Sequence, residues 1–127
     1  MRQIKFRGKD IETGVWVYGS LVLPIGDTPR IYVQDVKTEG AVSFFAYEVE
    51  ESTVGQSTGL LDKNGNEIYE GDVVTFDNHL QGVSQVVYDY SGFDVISKNY
   101  GTALRPMMNN HIRVIGNIHD NKELIKK

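Results

Sequence analysis

Seven carboxylates crowd the middle of this chain: Glu48, Glu50, Glu51, Asp62, Glu67, Glu70 and Asp72. A facing pair of such groups can run acid–base hydrolysis or hold a divalent ion. Their spacing gives most of them a plainer use. Asp62 opens Asp62-Lys63-Asn64-Gly65, a turn in which Asp bonds the nearby backbone and Gly65 takes positive φ. Glu70 and Asp72 flank Gly71 in a second tight reversal, where an Asp accepts from backbone N–H groups. An enzyme with an acidic site near Glu70 and Asp72 stays as an alternative. It requires both carboxylates to point into one cleft.

Other catalytic chemistries find less support. The histidines are His79, His111 and His119, with no H-E-x-x-H pattern. His111 and His119 flank an expected strand, which would hold them about 26 Å apart, too far to share a metal. Gly55-Gln56-Ser57-Thr58-Gly59 has the glycines of a nucleophile elbow. An elbow needs a helix after its serine, whereas here a hairpin is expected. The same stretch lacks G-x-x-x-x-G-K-[ST] and the helix N-terminus that would cradle a phosphate. Its hydroxyls are expected to bond neighbouring backbone. No catalytic residue, metal ligand or cofactor site is therefore assigned.

Two groups of residues point to binding. Arg2, Lys5, Arg7 and Lys9 alternate with Gln3, Ile4, Phe6 and Gly8, so on a strand they line one edge or face. The plainer reading is a solvated edge strand whose charges deter edge-to-edge pairing. Tyr88, Tyr90 and Phe93 cluster around Ser91-Gly92, with Tyr100 nearby. Exposed, they would stack on bases; buried, they would be core. The net charge of −4 weighs against a sequence-independent nucleic-acid binder, which needs a concentrated positive face.

The elements that position these residues read as strands. The chain has 127 residues, enough for one domain, 1–127, that buries roughly 65–70% of its unfolded surface. It has no cysteine, which removes disulfides, thiolate metal sites and cysteine nucleophiles. Thirteen glycines punctuate short alternating apolar stretches, as in all-β proteins. Strands are expected over Gln3–Arg7, Val15–Tyr18 (continuing past Gly19 to Leu23), Arg30–Val36 and Ser43–Val49. A hairpin joins Leu60-Leu61 to Ile68-Tyr69, and Val73–Phe76, Val83–Tyr90, Phe93–Lys98 and Ile112–Ile118 follow. Asp10–Gly14 and Pro24–Asp27 are turns, and Pro106–Asn110 is a loop. Asp120 or Asn121 is placed to cap a helical turn over Glu123-Leu124-Ile125. The strands from Gly71 onward, closed by Ile112–Ile118, suit a small SH3-like barrel. The polar N-terminus MRQIKFRGKD shows no signal peptide, and no apolar run reaches the length of a membrane span. A cytoplasmic protein that stays inside the cell in which it is made is expected, with no membrane partner.

One stretch carries a family resemblance. Thr53-Val54-Gly55-Gln56-Ser57-Thr58-Gly59-Leu60, Asp62-Lys63-Asn64-Gly65 and Ile68-Tyr69-Glu70-Gly71-Asp72-Val73-Val74 resemble the signature of the YopX family, small proteins encoded mainly by bacteriophages and prophages. The resemblance continues at Ile4-Lys5-Phe6-Arg7-Gly8, Trp16-Val17-Tyr18-Gly19 and Val114-Ile115-Gly116-Asn117-Ile118-His119-Asp120-Asn121. The chain departs from the pattern at Ser57, where an aromatic is common, and at Lys122, where a proline is common. The resemblance implies an all-β fold of coiled, branching antiparallel sheets and supplies no catalytic residues. The function expected is a phage or prophage accessory protein, a non-enzymatic module that binds a protein or forms a homo-oligomer. Nucleic-acid binding by a small β-barrel is the second reading. The binding-surface candidates are Arg2, Lys5, Arg7, Lys9, Tyr88, Tyr90 and Phe93.

Overall fold

A computed structural model describes residues 4–36, 39–77, 82–89, 92–97, 100–108 and 110–125. Arg2, His79, Tyr90 and Ser91, named above, lie outside the described residues. The chain falls into two compact units, Met1–Gln56 and Ser57–Lys127. The regular structure of the described residues is β-strand and short 3-10 turns, so the protein is all-β, and its strand pairs are antiparallel.

In the first unit, β1 (Phe6–Lys9), β2 (Trp16–Val22), β3 (Arg30–Val36) and β4 (Val42–Glu48) form a meander. A 3-10 turn at Glu51–Thr53 leads into β5 (Gly55–Leu61), which crosses into the second unit. β1 begins later than its alternation suggested, and it is not an edge strand. It pairs with β2 from Phe6↔Gly19 to Lys9↔Trp16 and with β5 at Phe6↔Gln56 and Arg7↔Gly55. The Asp10 turn forms as expected: Gly14 N–H donates to the Asp10 carbonyl at 2.8 Å and Glu12 N–H to Asp10 Oδ1 at 2.9 Å.

β2 changes partner part-way along. Through Gly19 it pairs with β1, and from Ser20 it pairs with β3. A strand that serves two neighbours must bend, and glycine permits the close backbone approach at the bend. The unit closes over Ile31 and Val49, both fully buried. Gly8 lies against Val49, where an added Cβ would stand 2.9 Å from the Val49 Cβ. Thr53 anchors the following turn: its Oγ1 accepts from Lys9 N–H at 2.9 Å and donates to the Glu50 carbonyl at 2.6 Å.

In the second unit, β5 pairs with β6 (Glu67–Tyr69) around the Asp62–Gly65 turn, with a register shift between Ser57 and Leu61. The remaining strands are β7 (Asp72–Phe76), β8 (Val83–Asp89), β9 (Gly92–Ser97), β10 (Tyr100–Ala103) and β11 (Ile112–Asn117). Their order in the sheet is β10-β9-β8-β7-β11. The last strand thus returns beside the first, the pairing a small barrel requires. The sheet nevertheless stays open, with β10 and β11 at its edges, and the barrel does not close. β10 had no alternating signal to announce it. Its core is Ile68, Val74, Val86, Val95 and Ile112, with Leu60, Phe76, Leu104, Met108 and Val114 packed around them.

The C-terminal turn is a 3-10 turn over Lys122–Leu124 rather than a capped helix. Asn121 occupies the N-cap position but its side chain makes no capping bond. Asn121 Oδ1 turns back to accept from Asn117 N–H at 3.1 Å. Asn117 Oδ1 in turn accepts from His119 and Asp120 N–H, both at 2.9 Å. The carboxamides thus organise the turn before the helical residues instead of capping them.

Candidate functional site

Two of the central carboxylates, Asp62 and Asp72, are used by the backbone. Asp72, 2% exposed, accepts from Tyr69 N–H through Oδ2 at 2.7 Å, closing the reversal at Gly71, whose φ is 94°. Asp62 is almost fully buried and does more than cap its turn. Oδ1 accepts from Asn64 N–H at 2.9 Å and Asn66 N–H at 2.8 Å; Oδ2 accepts from Val114 N–H at 2.9 Å and Asn66 Nδ2 at 3.4 Å. One carboxylate ties the hairpin to β11. Burial pushes its acidity down, but the three backbone amides outweigh it and hold the carboxyl below its ordinary range.

Ser57 and Thr58 lie in a strand, not at an elbow. Ser57 Oγ donates to Glu67 Oε2 and accepts from Gly59 N–H at 3.1 Å. Thr58 Oγ1 donates to the Ile68 carbonyl at 2.8 Å and accepts from Leu60 N–H at 3.1 Å. These bonds fill the irregular register of β5 with β6, which is the local backbone role expected of them.

The basic strand does not present a row of solvated cations. Arg7 is 6% exposed, with its guanidinium 4.6 Å from the Trp16 ring centre. Lys9 Nζ lies 5.7 Å from the same ring, and Lys5 is half-buried. Alternation on β1 and the diagonal across to β2 bring both cations to one indole, a cation–π arrangement.

At the far end of the second unit, Tyr88 and Phe93 are cross-strand partners packed edge to face, 4.9 Å between ring centres. Tyr88 is 57% exposed, so this group is surface rather than core. It has acidic neighbours on the same hairpin. A hydrogen bond with Asp89 holds the Asp94 carboxyl above its ordinary range, helped by burial and by the Asp89 charge.

A pocket of about 590 Å³ lies at the end of β7, beside the start of β11 and the 3-10 turn Pro106–Met108, lined by Phe76, Asp77, Met107, Met108 and His111. The pairing Ile112↔Phe76 sets His111 beside Asp77, with His111 Nδ1 3.7 Å from Asp77 Oδ2. Lys63 Nζ donates to the other Asp77 oxygen at 2.6 Å. The described lining carries no hydroxyl or thiol side chain. Sequence spacing missed this pair because 34 residues separate its members; the pairing of the strand opening at Asp72 with that closing at Ile112 was the available signal. Lys63, by hydrogen bond first and by charge, holds the Asp77 carboxyl below its ordinary value of 3.8. Lys63→Ala is expected to raise the Asp77 titration midpoint toward that value, read by carboxyl-carbon NMR. An unchanged midpoint would show that Lys63 does not set it.

The widest unassigned feature is the meander β2–β4. The registers Ser20↔Tyr32, Tyr32↔Ala46 and Gln34↔Phe44 put Tyr18, Val22, Tyr32, Val42, Phe44 and Ala46 on one face. Phe44 is 64% exposed, and Tyr18, Val22, Val42 and Ala46 are also exposed. On the opposite face Phe45 is exposed as well. Arg30 bridges Asp27 at 3.1 Å and Glu48 at 3.4 Å at one end of the meander. Apolar groups clustered on an exposed sheet mark interaction surfaces.

A family model described as YopX protein matches residues 5–126. Among solved structures, protein EF1440 from Enterococcus faecalis has a similar fold, with a TM-score of 0.69 and 22% identity over 99% of this chain and 100% of that one. At that identity the likeness concerns fold alone. None of the curated proteins compared matches the chain. Among the described residues, no group of three or more His, Asp or Glu side chains converges as metal ligands would, and no helix is long and apolar enough to cross a membrane.

Proposed function

The chain belongs to the YopX family, and from that premise we propose that it is a phage- or prophage-encoded accessory protein that works in the host cytoplasm by binding another protein, not by catalysis. The observation that carries this reading is the exposed apolar face of β2–β4, led by Tyr18, Val22 and Phe44. Aromatic side chains supply large contact area at low entropic cost and dominate binding energy where they are buried by a partner. Nucleic acid ranks below protein for three reasons. The net charge is −4. Arg7 and Lys9 are engaged over Trp16. The exposed Tyr88–Phe93 pair shares its hairpin with Asp89 and Asp94, which repel phosphates.

The test compares the wild-type chain with Phe44→Asp in affinity capture from infected cells. The expected result is a protein retained by wild type and lost with the variant, with Trp16 fluorescence unchanged to show that the fold persists. Capture of no protein, together with a gel shift that survives about 150 mM salt, would replace this reading with the nucleic-acid one.

A further inference from the structure

We propose that β4 is a self-pairing edge, which joins antiparallel to β4 of a second copy and makes the protein a two-fold dimer through one continuous sheet. This rests on reading β2–β4 as the interaction surface, and it names the occupant of that surface's edge.

β4 is the last strand in its sheet order. Its backbone directions follow from two printed bonds. Val49 N–H donates to the Pro29 carbonyl at 3.1 Å, on the β3 side, while the Glu48 carbonyl accepts from Ile11 N–H at 2.9 Å, on the other side. In an extended strand a residue's N–H and C=O share a side, and successive residues alternate. Ser43, Phe45 and Tyr47 therefore aim their polar groups at β3. Val42, Phe44 and Ala46 aim theirs outward, at the open edge.

Soluble proteins blunt such edges with lysine, proline, bulges or very short strands. β4 has none of these. It is seven residues long, reads VSFFAYE, and keeps register with β3 without a shift from Arg30↔Glu48 to Val36↔Val42. Its single charge, Glu48, already faces Arg30 of its own unit. The segment is also self-complementary. A two-fold axis through Phe44 sets Phe44 against Phe44 and Val42 against Ala46, three pairs that each exchange both backbone bonds. Glu48 then lies beyond the paired stretch, opposite Gly40 of the second copy. The same pairing merges the two exposed faces, bringing Val42, Phe44 and Ala46 of each copy side by side. An unrelated strand would satisfy the backbone equally, but only a second copy is guaranteed this charge-free match.

The test joins sedimentation equilibrium of the full chain over about 1–100 µM with amide hydrogen exchange at the same concentrations. A dimer is expected, and the amides of Phe44 and Ala46 gain protection as it forms. Those of Phe45 and Tyr47, already bonded to β3, do not change. Ala46→Lys places a charge at the pairing line and is expected to weaken dimerisation about tenfold or more. Tyr18→Lys, on the same face but two strands away, leaves it intact. A monomer at the highest concentration would overturn the proposal, as would a dimer whose Phe44 and Ala46 amides exchange as freely as before. A monomeric chain that still captures a protein lost with Phe44→Asp overturns self-pairing and leaves the proposed function standing. A dimer that captures none does the reverse.

Discussion

Asp62→Ala is expected to destabilise the Ser57–Lys127 unit by roughly 3–5 kcal/mol, because removing one partner of a buried charged network strands the others. The donors left behind are the N–H groups of Asn64, Asn66 and Val114. Val114 matters most, since it lies 52 residues away and links β11 to the hairpin. The urea midpoint should fall with little change in slope, and the Val114 and Asn64 amides should lose exchange protection together. A stability loss under about 1 kcal/mol would mean that water satisfies these donors. The same carboxylate sets an acid response. Its folded pKa lies below the ordinary carboxyl value of 3.8, so its contribution is complete above that value. The contribution is lost as pH falls through the lowered folded value. Wild type should therefore lose stability on acidification below about pH 4, and Asp62→Ala should lose less over the same window.

Gly19→Ala should damage the first unit more than any exposed glycine change. The new Cβ would stand 3.1 Å from the Tyr32 carbonyl carbon, closer still to its oxygen, and 3.3 Å from Ile31 Cγ2. Two of these atoms are backbone, so relief requires β2 and β3 to part where β2 changes partner. A cost of about 3 kcal/mol or more is expected, at the upper end of overpacking penalties. Trp16 fluorescence, which reports the same strand, follows the unfolding. Gly26→Ala provides the contrast. Its φ is 72° and nothing lies within 4 Å of the added Cβ. Only the conformational penalty of about 1 kcal/mol applies there. Equal losses for the two variants would refute the steric account of Gly19.

The turns were legible because their chemistry is local. Gly65, Gly71 and the turn bonds of Asp62 act within a few residues, and the sequence spacing predicted both reversals with the right residues in them; the Asp62 bond to Val114, 52 residues on, was not legible. Most strands were legible from alternation, and Arg30–Val36 appears with the expected bounds. The edge reading of β1 failed because edge or interior status depends on which strand comes alongside, and Gly55 is 48 residues beyond Arg7. The barrel suggested for the second half does not close, for a related reason. Alternation places strands, but closure depends on accumulated twist and on register at the last pair, here shifted between Val114 and Gly116.

The sequence by itself determined the all-β class, the two central reversals and the family, all of which depend on residue types at short, fixed spacings. The segment Thr58–Phe76 carried most of that information. Only the tertiary structure decided which residues are surface. It held Arg7 and Lys9 on Trp16, brought Asp77 beside His111, and left Phe44 exposed on an edge strand. The physical reason is that an apolar alternation looks the same whether its face is covered or bare. What covers it is settled by strand pairing, and pairing joins residues that the chain keeps far apart.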